Sequence, residues 1–170
     1  MKKIVYFTFF LLFCCKLSFT QSKWNSVFHA AEQSWADSML QNLTSEERIA
    51  QLFMVAAYSN KDKKHKEEIS DLITKYKIGG LMFLQGSPTS QAQLTNYFQS
   101  ISKTPLMIAQ DAEWGLAMRL DSVEPFPWQM TLGTIQDEDL VYQMGKQIAN
   151  QCKLLGVNIN FAPVADINSN

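Results

Sequence analysis

Short apolar runs alternate along this chain with longer stretches in which apolar residues recur every three or four positions. The two spacings predict strands and helices respectively. Thr44-Ser45-Glu46-Glu47 reads as a capping box, in which the Thr44 hydroxyl accepts from the Glu47 amide and the Glu47 carboxylate reaches back. The helix it opens runs into Ile49, Ala50 and Leu52, and Gln51 to Ala57 reads as a buried strand. A charged segment, Lys61 to Glu68, leads into a helix carrying Ile69, Leu72, Ile73 and Tyr76 on one side. Gly79 and Gly80 end that helix and open the strand Leu81-Met82-Phe83-Leu84. After a turn at Gly86-Ser87-Pro88, Gln91 to Lys103 is helical, with Leu94, Tyr97, Phe98 and Ile101 inward. Pro105 breaks it, and Leu106 to Ala109 forms the third strand. A polar stretch rich in aromatics, Asp111 to Trp128, precedes a helix from Asp137 to Leu155. Its apolar stripe is Leu140, Met144, Ile148, Cys152 and Leu155, and Gly156 stops it. Val157 to Val164 is a fourth strand, ending near Asp166.

Strands alternating with helices predict an α/β fold with a parallel sheet and helices outside. Four such strands fit an open doubly wound sheet or part of an eight-stranded barrel. Neither a GxGxxG after the first strand nor a GxxxxGK[ST] segment occurs, which removes support for nucleotide binding. A net charge of −1 gives no basic footprint for nucleic acid.

The first twenty residues differ from the rest. Lys2 and Lys3 precede an apolar run from Ile4 to Cys15, which is the pattern of a signal peptide and too short for a stable membrane span. Ser18 and Thr20 are small residues suited to cleavage before Gln21, so residues 1–20 are expected to be a signal peptide and 21–170 the mature part. Acylation at Cys14 or Cys15 is the alternative, and the bulky Phe13 disfavours it. The expected location is the periplasm or the exterior. Cleavage would remove three lysines and no acids, moving the net charge to −4. It would leave Cys152 as the lone cysteine, so a hydrophobic core rather than disulfides must hold the fold.

In parallel α/β folds, binding groups collect at the carboxyl ends of the strands. The third strand delivers Asp111 and then Glu113, with Arg119 nearby; the fourth delivers Asp166; the second delivers only Gln85. Carboxylates accept well from sugar hydroxyls, and paired acids hydrolyse glycosidic bonds. An acid after a strand also serves as a helix cap or loop tether, and both readings stand for Asp111 and Asp166. Trp114 and Trp128 flank this region, where they could stack on a sugar or pack on the protein; Trp24 and Trp35 read as packing residues. His29 and His65 are too far apart in sequence for a ligand cluster, so no metal is expected, and Cys152 reads as core.

These residues resemble a known family. Asp111-Ala112-Glu113-Trp114-Gly115 through Arg119 is similar to the D-x-E-G-G-x-V-x-R signature of family 3 glycoside hydrolases, departing from it at Trp114 and Ala117. Phe126-Pro127 with Met130 to Gly133, and Leu155 to Asp166, resemble that family's following blocks; Leu43 to Gln51 and Lys77 to Gly80 resemble its opening ones. The resemblance implies a (β/α)8 TIM barrel of which this chain holds about the first four βα units. It implies a retaining hydrolase of terminal β-linked sugars, most similar to the β-N-acetylhexosaminidase branch, with β-glucosidase or xylosidase and a non-catalytic sugar-binding module as alternatives. By the same resemblance Asp111 and Arg119 bind substrate, while Glu113, Trp114 and Asp166 support the site. No catalytic residue is assigned here: the nucleophile and the acid/base are expected downstream of Asn170, the isolated chain is expected to be an inactive fragment, and no cofactor is implied. Expected partners are oligosaccharides or glycoconjugates, peptidoglycan fragments among them.

Overall fold

The computed structural model describes residues 30–165, without the side chains of 30–33. The expected signal peptide at 1–20, Cys14, Cys15, Trp24, His29 and Asp166 lie outside the described residues. The chain divides into two compact units at Gln41 and Asn42. The first is described as helix α1, Ala30–Gln41. Trp35 on α1 is 56% exposed.

The second unit is a four-stranded parallel sheet in the order β1-β2-β3-β4, with β1 Met54–Tyr58, β2 Gly80–Gln85, β3 Met107–Gln110 and β4 Ile159–Asn160. Short helix α2, Ser45–Ala50, opens it on the expected capping box. Thr44 Oγ1 accepts from the Glu47 amide at 3.2 Å, and the Thr44 amide donates to the Glu47 carboxylate at 3.0 Å. The crossovers are α3 Lys63–Asp71, α4 Pro88–Ile101 and α6 Glu138–Leu154, with the single turn α5, Gln129–Leu132, before the last. Asp62, Ser87 and Asp137 cap α3, α4 and α6 by accepting from amides of their first turns, and Pro88 begins α4, where a missing N–H costs nothing.

The strand residues alternate across the sheet. Leu81, Phe83 and Ile108 point to one face and are fully buried beneath Ile69, Ile73, Phe98, Ile148 and Cys152 of the helical layer. Burying each such side chain contributes about 1.5–3 kcal/mol. On the opposite face Ala56 is exposed and Met82 half-buried.

Several elements depart from their sequence expectation. The apolar run from Gln51 is not all strand: Gln51 to Phe53 continue α2 as a turn, through Leu52 N–H to the Ile49 carbonyl and Phe53 N–H to that of Ala50, each at 3.0 Å. This turn passes so close to residue 79 that only glycine fits there, since a Cβ would overlap the Gln51 carbonyl. The helix before β2 is stopped by Lys77 in the left-handed conformation (φ 61°, ψ 46°), not by the glycines. Its last turn, Leu72–Tyr76, is π-helical; the wider turn shifts the phase of the stripe and leaves Tyr76 exposed. Tyr97 and Leu140 also lie at the solvent margins of their stripes. The fourth strand pairs only at Ile159 and Asn160, because Phe161 donates the last bond, to Gln110, and Pro163 has no N–H to extend the ladder. Among the described residues no helix is long and apolar enough to cross a membrane.

Candidate functional site

Asp111 leaves the carboxyl end of β3, and the chain folds back over β2. Leu120 bridges to Gly86, and the Asp121 amide donates to the Gly86 carbonyl at 2.8 Å. The single 3-10 turn Leu116–Met118 makes this return. It brings Arg119 onto Asp111, as their eight-residue spacing allows. The Arg119 Nη2 pairs with Asp111 Oδ2, and Nε donates to the Asp111 main-chain carbonyl at 3.2 Å. The two side chains are 28% and 21% exposed, so the pair is partly desolvated yet reachable. Among the described residues no bond occupies Asp111 Oδ1, and the remaining guanidinium N–H groups are uncommitted. The pair thus sets an acceptor beside several donors, the complement of adjacent hydroxyls that each donate and accept.

Three long-range contacts fix the end of β3. Asn158 Oδ1 accepts from the Ile108 amide at 2.9 Å. Asn160 accepts from the Ala112 amide at 3.0 Å and donates to its carbonyl at 3.3 Å, extending the ladder with a side chain. Behind the strand, fully buried Gln91 and Gln110 exchange amide hydrogen bonds, each 3.4 Å. Leaving such an amide unpaired would cost about 1–3 kcal/mol. These residues were missed in the sequence. The repeat Asn158-x-Asn160, two polar residues on one side of a short strand, was the available signal.

The other expected residues hold different positions. The Glu113 main-chain carbonyl accepts from Gln129 Nε2 at 3.0 Å. Trp114 is half-buried and meets Trp128 with ring centroids 5.9 Å apart at 47°. Gly115 has φ +84°, and a Cβ there would lie 2.6 Å from the Phe126 ring.

A polar cleft of about 350 Å³ opens beside the pair, lined by Asn60, Gln85, Gly86, Arg119 and Asp121. Asn60 and Asp121 were not singled out in the sequence. A larger, mostly apolar cavity of about 510 Å³ runs between α6 and β4, past Met144, Ile148 and Val157. Arg119 lines the smaller cleft, whereas Glu113, Asn158 and Asn160 line the larger cavity.

His65 is structural rather than solvated. Its Nε2 accepts from the Tyr58 amide at 3.1 Å, and burial together with the Lys61 charge holds its pKa below the usual imidazole value. Burial pushes the Cys152 thiol up, which suits a core residue and not a nucleophile. No group of three or more metal-ligating side chains occurs among the described residues.

The model of the "Glycosyl hydrolase family 3 N terminal domain" matches residues 44–170. A beta-hexosaminidase A of Pseudoalteromonas piscicida is 34% identical over 116 residues, covering 61% of this chain and 19% of that protein. A beta-N-acetylglucosaminidase/beta-glucosidase of Cellulomonas fimi is 25% identical over 137 residues, covering 81% of this chain and 24% of that protein. Among solved structures, a beta-glucoside phosphorylase, BglX bound to 2FGlc, superposes with a TM-score of 0.69 at 20% identity, over 84% of this chain and 25% of that one. The chain spans about a fifth to a quarter of the length of these relatives. Its four parallel strands and their helices are part of the (β/α)8 barrel fold. On the match across residues 44–170, this chain belongs to family 3 of the glycosyl hydrolases, in its N-terminal domain.

Proposed function

We propose that this chain supplies the sugar-gripping part of an exported, retaining glycoside hydrolase that removes terminal β-linked sugars, β-N-acetylglucosamine foremost. The observation that carries the reading is the Asp111–Arg119 pair at the carboxyl end of β3. Asp111 accepts from sugar hydroxyls through Oδ1, and Arg119 donates to their oxygens while holding the carboxylate still. Because protein groups already fix the pair, little side-chain entropy is lost when sugar binds.

A retaining reaction needs a nucleophile and a proton donor on either side of the scissile bond. Neither role is assigned to a residue of this chain. Glu113 and Trp114 support the gripping loop, and Asp166, which lies outside the described residues, keeps the supporting role that the family resemblance implies. The substrate class is an oligosaccharide or glycoconjugate, peptidoglycan fragments included, and Lys2-Lys3 with the apolar run to Cys15 favours export. The name of the P. piscicida relative supports a hexosaminide, and the double name of the C. fimi relative carries both N-acetylglucosaminide and glucoside, which makes glucoside the second reading.

The test compares nitrophenyl β-N-acetylglucosaminide, β-glucoside and β-xyloside as substrates of the full-length protein and its Asp111→Ala variant. The first substrate should be turned over fastest. The variant should lose on the order of 1.5–3 kcal/mol of transition-state binding, or more. Unchanged kcat/KM in a folded Asp111→Ala protein would sink the assignment, and a preference for glucoside would move it to the second reading.

A further inference from the structure

Four of the chain's fifteen basic residues fall between positions 61 and 66, although its net charge is −1. Three of them, Lys61, Lys63 and Lys66, line one cleft of about 320 Å³ between the end of β1, α3 and α4. The neighbouring acids do not neutralise all three. Asp62 also lines the cleft, but its Oδ1 accepts from the His65 amide at 3.1 Å as the cap of α3. Glu67 pairs with Lys63 at 3.4 Å, and Glu68 lies 4.0 Å from His65 Nδ1. Among the described residues neither Lys61 nor Lys66 meets a carboxylate. Each ammonium instead sits 3.7 Å from the centre of a ring, Lys61 over Tyr58 and Lys66 over Tyr97.

An exposed cation–π contact contributes about 0.5–1 kcal/mol. It positions an ammonium but brings no negative charge to it. Lys66 is half-buried, so its charge is partly desolvated without a counter-ion. The field of Lys61 also reaches His65 in the cleft wall. Together with burial it holds that imidazole below its usual pKa, against the opposing charges of Glu68 and Asp62. The cleft therefore keeps positive charge that its own acids leave unpaired.

Its donors suit a phosphate better than a carboxylate. Ammonium groups are point charges that can surround a tetrahedral dianion, whereas a planar carboxylate matches an arginine fork. Among the described residues no arginine lines this cleft. Ser90 adds a hydroxyl: its Oγ takes the Ser87 proton at 2.9 Å, which leaves its own proton to donate. The volume lies at the lower end of the roughly 300–1,000 Å³ of small-molecule sites, more than a bare phosphate fills. Leu94 and the half-buried Tyr58 ring give the remaining wall an apolar surface for a small organic group.

We propose that this cleft binds a phosphate monoester of about monosaccharide size, with Lys61 and Lys66 holding the phosphate. The test titrates glucose 6-phosphate, glucose and inorganic phosphate into the full-length protein and its Asp111→Ala variant by calorimetry. At low salt glucose 6-phosphate should bind about three- to thirtyfold tighter than glucose in both proteins, and tighter than inorganic phosphate. The double variant Lys61→Gln, Lys66→Gln should remove that advantage, and Lys66→Arg should keep it. In the unsubstituted protein the advantage should shrink as salt rises from about 0.01 to 1 M, where the Debye length falls from about 30 to 3 Å. That readout depends on no variant folding. Equal affinity for glucose and its phosphate, or an advantage that survives in the double variant, would overturn the proposal. So would inorganic phosphate binding as tightly as the ester, because the occupant would then be a free anion. An advantage lost in Asp111→Ala at an unaltered melting temperature would also overturn it, by moving the phosphate to the Arg119 cleft.

Discussion

The Asn160 side chain clamps the backbone of Ala112 at two points, accepting from its N–H at 3.0 Å and donating to its carbonyl at 3.3 Å. Ala112 is the residue after Asp111, so β4 sets where the Asp111 carboxylate leaves β3. Asn160→Ala removes both bonds and strands two backbone groups of the buried Ala112. It should destabilise the fold by about 1–3 kcal/mol, seen as a lower urea midpoint. Asn160→Asp keeps the acceptor and loses the donor, and should fall between. Equal midpoints for all three proteins would show that the clamp contributes nothing.

Arg119 bonds both the carboxylate and the main-chain carbonyl of Asp111, which requires a planar fork of donors. A lysine keeps the charge but cannot span the two acceptors in that geometry. If the proposed activity holds, Arg119→Lys should therefore lower kcat/KM of the full-length protein by about ten- to a hundredfold. The loss should lie mainly in KM if the pair grips substrate and transition state alike. Steady-state kinetics on the aryl glycoside distinguishes this from a kcat effect, and wild-type kinetics would show that charge alone suffices.

Gly115 combines φ +84° with a Cβ position 2.6 Å from the Phe126 ring. Gly115→Ala should cost about 1–3 kcal/mol from backbone strain alone. The clash with Phe126 adds to that. The double variant Gly115→Ala, Phe126→Ala should lose less than the sum of the singles, because the second change removes the clash. Strict additivity of the three denaturation free energies would mean that the ring moves aside at no cost.

What could be read from the chain follows from the range of the interactions concerned. Thr44 and Glu47 are three residues apart, and their capping box is local chemistry that sequence displays directly. The β2 and β3 cores were legible because strands buried among neighbours are continuously apolar. The start of β1 was not, since residues that look like strand turn on the end of α2, and the room for that turn depends on glycine at the distant position 79. Tyr76 was misplaced because a π-helical turn changes the phase that the periodicity argument assumes. Asp111 and Arg119 lie within one loop, eight residues apart, and it was the family signature they resemble that singled them out, not their spacing. Asn160 acts on a backbone 48 residues away, and the Gln91–Gln110 pair joins a helix to a strand, so neither has a local signature.

The remaining titratable feature is His65, whose neutral Nε2 takes the Tyr58 amide proton at the end of β1. Burial, and then the Lys61 charge, lower its pKa, while Glu68 and Asp62 oppose them. The folded protein therefore takes up its proton at lower pH than the unfolded chain does. The resulting stability is present above the ordinary imidazole pKa of about 6.5. It is lost as pH falls through the depressed folded value, because the unfolded chain binds the proton first. Protonation at Nε2 would also replace the acceptor of the Tyr58 N–H with a second donor. Urea midpoints measured between pH 7.5 and 5 should fall for the wild type. They should fall less steeply for His65→Gln, whose amide oxygen can accept from Tyr58 without titrating. Parallel slopes for the two proteins would assign the acid sensitivity to the neighbouring carboxylates instead.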